Sequence, residues 1–203
     1  MKELNLGPEN YCFKFDISEY NDIALLFSGG ADSTLLLYLL LLENQIFSKK
    51  ISAYVIDRHN RPVAKAKHIH RLLIEKFDTV IELQVLKIPR VEQHKEIIAG
   101  SLLLADQHEI VMSGVNKYPS DQSIRPNYIF QHFKDTETFK LPFKQLEKYH
   151  IIDAFYKLGI EDLLPHTHSC GLQLTSPCQY HCFNCKERAW AYNVLGRESN
   201  FGV

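Results

Sequence analysis

Residues 23–38 read IALLFSGGADSTLLLY, and no other run constrains the chain as tightly. Ile23 to Phe27 is continuously apolar, the pattern of a short strand covered on both faces. Gly29 and Gly30 permit a tight turn and leave no Cβ to hold a ligand off the backbone. Ser28, Ser33 and Thr34 add hydroxyls, and Asp32 falls where the start of a helix favours a carboxylate. The first N–H groups of a helix have no partners within it, so a strand–loop–helix joint of this kind is an anion site. The chain carries a phosphate cradle.

Two common cradles are excluded. The nucleoside-triphosphatase loop requires Gly-x-x-x-x-Gly-Lys-Ser/Thr, and the chain has no Gly-Lys pair. The dinucleotide fingerprint Gly-x-Gly-x-x-Gly is also missing. SGGADS instead resembles the SGGxDS signature of the PP-loop ATP pyrophosphatases. In that family the loop holds the β,γ-diphosphate of ATP while chemistry at the α-phosphate yields AMP and pyrophosphate.

Around the loop, apolar runs alternate with helical patterns. Strands are predicted at Ile23–Phe27, Ile51–Ile56, Thr79–Leu86 and Ile110–Ser113. Helices are predicted at Asp32–Glu43, Pro62–Phe77, Glu92–Gln107 and Lys144–Leu158, the last closed by Gly159. Such alternation predicts an α/β fold with a doubly wound parallel sheet, its ligand at the carboxyl ends of the strands. The organisation expected is an N-terminal extension over 1–20, an ATP-binding α/β domain over 21–160 and a C-terminal segment over 161–203. Tyr11–Ile17 alternates enough for an edge strand, and the polar stretch Asn116–Asp135 reads as a long loop.

With 45% hydrophobic and 23% charged residues in 203, the chain is long enough to bury a core. A net charge of −1 argues against indiscriminate nucleic-acid binding, so nucleic acid is not expected as a partner. The opening residues lack a signal-peptide pattern, and the apolar run Leu35–Leu42 is too short to span a bilayer. A cytoplasmic protein with no membrane partner is expected. Between Arg58 and Ile74 lie Arg58, Arg61, Lys65, Lys67 and Arg71 with no acid, which reads as a solvated helix face.

Four of the five cysteines cluster: Cys170, Cys178, Cys182 and Cys185, at spacings x7, x3 and x2. In a cytosolic chain such a cluster points to metal rather than disulfides. Four thiolates suit a closed structural Zn²⁺ site, and an iron–sulfur cluster remains the alternative. His166, His168 and His181 stand beside the cluster, and Cys12, alone in a strand, reads as a small buried hydrophobe.

The SGGxDS loop combined with a C-terminal four-cysteine knot resembles the QueC family of 7-cyano-7-deazaguanine synthases. The likeness continues through PFKQLEKYHIIDAFYKLGIEDLLPHTHSC, residues 142–170, and through Cys185-Lys-Glu-Arg188-Ala, which matches a Cys-x-x-Arg-Ala tail. Ser113-Gly114-Val115, Tyr118-Pro119, Asp121 and Arg125-Pro126 resemble the family's substrate loop more loosely. The chain departs from the family at 57–61, which read Asp-Arg-His-Asn-Arg in place of Tyr-Gly-Gln-Arg-His. The knot spacing also differs, x7, x3, x2 against x8, x2, x2.

The resemblance implies an adenine-nucleotide-hydrolase-like fold and an ATP-dependent C–N ligase of the queuosine pathway. Its substrates would be 7-carboxy-7-deazaguanine and ammonia. It implies that Ser28, Gly29, Gly30, Asp32 and Ser33 hold the pyrophosphate with Mg²⁺, and that Lys148 neutralises developing phosphate charge. Leu26, Phe27, Val55, Ile56 and Gly114 would frame the nucleotide, and Tyr118, Asp121 and Arg125 the acceptor. Asp32, Ser33 and Lys148 form the catalytic set. A PP-loop enzyme adenylating another acceptor, a tRNA base or a polypeptide, is the alternative, as is a nucleotide-binding module without catalysis. A homodimer is one assembly left open.

Overall fold

The computed structural model describes residues 1–57, 63–89, 91–124, 133–168 and 182–198. Its first two strands, β1 (Lys2–Leu6) and β2 (Tyr11–Phe15), pair antiparallel across a turn in which Gly7 and Asn10 take left-handed backbone. They pair only with each other, so the edge strand expected over Tyr11–Ile17 is one arm of a separate ribbon and no part of the main sheet. Alternation turns Phe13 and Phe15 inward with Leu6 and Ile17, and Cys12 and Lys14 outward. Cys12 is therefore exposed, contrary to expectation, and its thiol donates to Glu3 Oε1 at 3.2 Å. The inward rings close on Phe143, 5.7 Å from Phe13 between centroids, which joins the ribbon to the main hydrophobic core.

The main sheet has five parallel strands interleaved with helices. In chain order these are β3 (Asp22–Leu26), α1 (Ala31–Phe47), β4 (Lys50–Ile56), α2 (Val63–Phe77), β5 (Leu83–Leu86), α3 (Gln93–Ala105), β6 (Ile110–Ser113) and β7 (Phe139–Lys140). The spatial order β5-β4-β3-β6-β7 places the turning point between β3 and β6. The expected α/β class with a parallel sheet is what forms. Helices α4 (Lys148–Lys157) and α5 (Phe183–Val194) follow and pack on each other, with a 3₁₀ turn at Glu161–His166 between them.

The unbroken apolar run of β3 is explained by burial on both sides. Ile23 and Leu25 join Phe27 in a core built with α1, α2 and α4. Ala24 and Leu26 face a smaller core with Leu104 of α3, Val111, Phe139 and Leu141. α1 is enclosed all round: Leu35, Leu36, Leu37, Leu39 and Leu40 are fully buried. Each such leucine contributes about 1.5–3 kcal/mol of transfer free energy. No helix among the described residues is long and apolar enough to cross a membrane.

Two element starts lie four residues later than expected, each for a local reason. The strand expected from Thr79 begins only at Leu83, because Asp78 turns into left-handed backbone and the Thr79 N–H closes on the Ile74 carbonyl at the end of α2. The helix expected from Lys144 begins at Lys148. Lys144 and Leu146 instead close tight turns on Leu141 and Phe143, and the Glu147 N–H donates to His150 Nδ1. β7, two residues long and paired with Val111 and Met112, lies just beyond the stretch read as a loop.

Candidate nucleotide-binding site

β3 hands the chain directly to the loop. The Phe27 N–H donates to the Tyr54 carbonyl at 2.7 Å, the last such contact before the chain leaves the strand. Gly29 then takes φ +73°, and a Cβ there would lie 2.8 Å from the Ala66 Cα of α2. Both the conformation and the space demand glycine. The two serines lock the turn: the Ser28 N–H donates to Ser33 Oγ (3.2 Å), the hydroxyls lie 3.1 Å apart, and the Gly30 N–H donates to Ser28 Oγ (3.3 Å). Gly30 precedes α1 and brings no side-chain cap, so the first turn of α1 borders the cavity with its N–H groups uncapped by any side chain. From the neighbouring strand end, Gly114 lies flush on that turn. A Cβ on it would meet the Asp32 carbonyl carbon at 2.8 Å and the Ser33 nitrogen at 2.9 Å.

The cavity in front of the loop has a volume of about 540 Å³, within the roughly 300–1,000 Å³ usual for small-molecule sites. Into it α4 sends Lys148, whose ammonium donates to both oxygens of Asp32 at 2.6 Å and lies 3.5 Å from Glu187 Oε2 of α5. Lys148 and Glu187 are buried, while the Asp32 side chain is 24% exposed. Burial works against the Lys148 charge, but Asp32 and Glu187 outweigh it and hold the ammonium above the ordinary lysine pKa. Burial also raises Glu187; Lys148 opposes the rise and the Asp32 charge adds to it. Asn116 Nδ2 donates to the other Glu187 oxygen at 3.4 Å.

Of the residues singled out in the sequence, Leu26, Phe27, Ser28, Gly30, Asp32, Ser33, Val55, Ile56, Gly114, Tyr118, Lys148 and Cys182 all line this cavity. Gly29 shapes the loop from behind. Asp121 does not line it; its carboxylate accepts the Ser123 N–H at 2.8 Å. Arg125, Cys170, Cys178, His181, Arg58 and Arg61 lie outside the described residues.

Cys182 caps α5, its carbonyl accepting the N–H groups of Cys185 and Lys186, and Cys185 is buried in the helix's first turn. Among the described residues no three His, Cys, Asp or Glu side chains group to hold a metal. His166 faces His68 of α2, ring nitrogens 3.2 Å apart, and the His168 N–H donates to the Gly29 carbonyl. Lys65 and Lys67 are exposed on α2, and Arg71 pairs with Glu75 at 3.7 Å.

Sequence reasoning did not single out Glu187, Tyr54 or Asn116. Glu187 had a usable signal, since it sits inside the Cys185-Lys-Glu-Arg188-Ala tail. Arg188 in that tail is buried and donates to the Leu164 carbonyl (2.7 Å) and Thr167 Oγ1 (2.9 Å), which ties α5 to the 3₁₀ turn.

No protein-family model matches the sequence, and no curated protein matches it. Among solved structures, the chain is similar to the U34-tRNA thiolase NcsA from Methanococcus maripaludis with its [4Fe-4S] cluster. The match has a TM-score of 0.48 at 15% identity and covers 95% of this chain and 74% of that one.

Proposed function

We propose that the chain is a cytoplasmic ATP-dependent C–N ligase that converts 7-carboxy-7-deazaguanine and ammonia to 7-cyano-7-deazaguanine, with release of AMP and pyrophosphate. The observation that carries the reading is the buried Lys148 ammonium held on Asp32 at the foot of the SGGADS loop. A cation, an uncapped helix start and three close-packed glycine or serine positions converge there on one cavity. The resemblance of the loop and the cysteine-rich tail to the QueC family supplies the acceptor.

The chemistry needs no protein nucleophile; position and charge do the work. The acceptor carboxylate attacks the α-phosphorus of ATP, and pyrophosphate leaves into the loop. Ammonia adds to the acyl carbon and displaces AMP, giving the amide. A second ATP adenylates the amide oxygen, and loss of that AMP leaves the nitrile. The three protons of ammonia depart one each at amide formation, amide adenylation and elimination. Through both cycles Ser28, Gly30, Ser33 and the first turn of α1 cradle the departing pyrophosphate, and Lys148 turns from Asp32 to the phosphate oxygens. Asp32, so released, would hold Mg²⁺, which would supply neutralisation of the phosphate charge. Tyr118, packed edge-on against Phe183 with centroids 5.8 Å apart, lines the cavity and would meet the acceptor there.

Cys182 and Cys185, three residues apart at the start of α5, fit two corners of a thiolate site that Cys170 and Cys178 would complete around a structural Zn²⁺. Such a site would anchor α5, and with it Glu187, beside the loop.

The test is mass spectrometry of protein, Mg-ATP, ammonium and 7-carboxy-7-deazaguanine. Nitrile with AMP is the expected result, and amide alone would limit the enzyme to the first cycle. Acid returned unchanged by protein that binds ATP would overturn the acceptor and turn attention to a tRNA base or a polypeptide.

A further inference from the structure

The turn between β1 and β2 reaches the first turn of α4, the helix that presents Lys148. Gly7 takes φ +72° there, and a Cβ on it would lie 2.6 Å from Glu9 Oε2 and 2.8 Å from Tyr149 Cε2. Only glycine lets the Glu9 carboxylate and the Tyr149 ring close up in this way. The Gly7 N–H donates to Asp153 Oδ2 at 2.9 Å, one turn further along the helix. Glu9 Oε1 accepts from the Tyr149 hydroxyl at 2.8 Å and from His150 Nε2. Burial works to raise the Glu9 pKa, but its own backbone N–H and the donors on Tyr149 and His150 outweigh it and hold the carboxyl below the ordinary value. An ionised carboxylate only accepts.

His150, buried and third in α4, fills the place that glutamate or glutamine takes in a capping box. Its Nδ1 accepts the Glu147 N–H at 3.1 Å. A backbone N–H can only donate, so Nδ1 carries no proton, and the neutral ring keeps its proton on Nε2, where Glu9 receives it. Unlike a glutamine, an imidazole caps this helix in one tautomer only. A ring protonated on Nδ1 would set N–H against N–H and free the start of α4. Glu147 is the hub of what hangs on that cap. Its buried carboxylate accepts the Ser120 N–H at 2.7 Å and Lys117 Nζ at 3.3 Å, and the Leu146 carbonyl before it accepts the Lys117 N–H at 2.8 Å. Lys148 follows directly, its ammonium on Asp32.

We propose that Glu9 is a positioning residue: by fixing the tautomer of His150 it holds the first turn of α4, and so sets Lys148 against the phosphate loop. The N-terminal ribbon, which the nucleotide reading does not use, thereby becomes part of the site's support. The inference rests on that reading for what Lys148 does to phosphate, whereas the tautomer does not depend on it.

The test joins nitrogen NMR of the histidine rings with calorimetric titration of the full chain by MgATP. His150 is assigned by the ring signals that His150→Gln removes. Wild type is expected to show His150 as the single Nε2–H tautomer at neutral pH, and Glu9→Ala as a mixture. Glu9→Ala removes one hydrogen bond of the support and should weaken MgATP about threefold to tenfold. The Glu9 side chain is half-exposed, so the change opens no cavity. Glu9→Gln, whose amide oxygen still accepts from Nε2, should restore the tautomer and bind MgATP within about twofold of wild type. His150→Gln caps α4 without needing a tautomer, so adding Glu9→Ala to it should change MgATP affinity by less than about twofold. A His150 tautomer unmoved by Glu9→Ala overturns the inference, as does an equal loss of affinity from Glu9→Ala in both backgrounds, which would mark simple packing. Wild type that binds no MgATP overturns the nucleotide reading and the part given to Lys148, and is told apart by the tautomer, which is read without nucleotide.

Discussion

Replacing Lys148 with Met tests how the site holds its charges. Lys148 Nζ is 2.6 Å from both Asp32 oxygens and 3.5 Å from Glu187, and methionine keeps most of its volume with none of its charge. Asp32 can then hydrate from the cavity, but Glu187, with a side chain 6% exposed, cannot. Removing one partner of a buried ion pair costs about 3–5 kcal/mol. With Asp32 relieved by water, the lower end applies. At about 2–4 °C per kcal/mol for a chain this long, a loss near 3 kcal/mol lowers Tm by roughly 6–12 °C at neutral pH. The pH dependence has a definite sign. Burial already holds Glu187 above the ordinary carboxyl pKa, and loss of the ammonium raises it further. A carboxyl with a raised folded pKa takes up a proton on folding, so its presence costs stability as pH rises from the unfolded pKa through the folded one. Lys148→Met should therefore lie nearest wild type under mildly acidic conditions and furthest from it under alkaline ones. Adding Glu187→Gln removes the stranded charge and leaves an amide oxygen for Asn116, so the double variant should regain most of the lost Tm. Thermal unfolding followed by circular dichroism across that range decides the matter. A deficit independent of pH, or one that Glu187→Gln deepens, refutes the reasoning.

Gly114→Ala should cost about 1–3 kcal/mol of stability by overpacking against Asp32 and Ser33 and should abolish MgATP binding by calorimetry. Gly159→Ala, at φ +65° with open space around it, should cost about 1 kcal/mol and leave MgATP binding unchanged. Deleting residues 1–17 removes buried Leu6, Phe13, Phe15 and Ile17 from the main core; at about 1.5–3 kcal/mol each this rivals the whole stability of a domain, about 5–15 kcal/mol, and the truncated chain should lose its cooperative unfolding transition. Elemental analysis should find about one zinc per chain in wild type and almost none in Cys185→Ser; iron with sulfide in its place would assign the knot to a cluster instead.

What was legible in the sequence is what is local. Ile110–Ser113 is read to the residue, and β3, the loop and α1 follow from a two-sided apolar run, two glycines and an acid in the first helical turn. The misread boundaries are those that competing local contacts decide. Thr79 is claimed by the end of α2 and Lys144 by a turn on Leu141, although periodicity extends through both. Cys12 shows that an alternating segment has a face that cannot be assigned until its partner is known: Phe13 and Phe15 win the core, and the thiol between them goes outside. The tail around Glu187 was legible, but its pairing was not: Glu187 meets Lys148 on another element, and no spacing along the chain encodes such a pair.

The charges of the site also constrain how it is filled. One ammonium faces two carboxylates in the cluster of Asp32, Lys148 and Glu187, so with all three ionised this cluster is net negative where, under the proposed function, a polyanion would bind, while Arg188, Lys117 and Lys144 supply positive charge around it. The two carboxylates would oppose a bare triphosphate. Two routes relieve it. Glu187, its pKa already raised by burial, can take a proton, or Asp32 can pass from the ammonium to a divalent cation that arrives with the nucleotide. The second would free Lys148 for the phosphates and leave Asp32 paired. Glu187 then has a role distinct from chemistry. Were Asp32 engaged by such a cation, Glu187 would be the counter-ion that keeps Lys148 charged in a site where burial works against the ammonium.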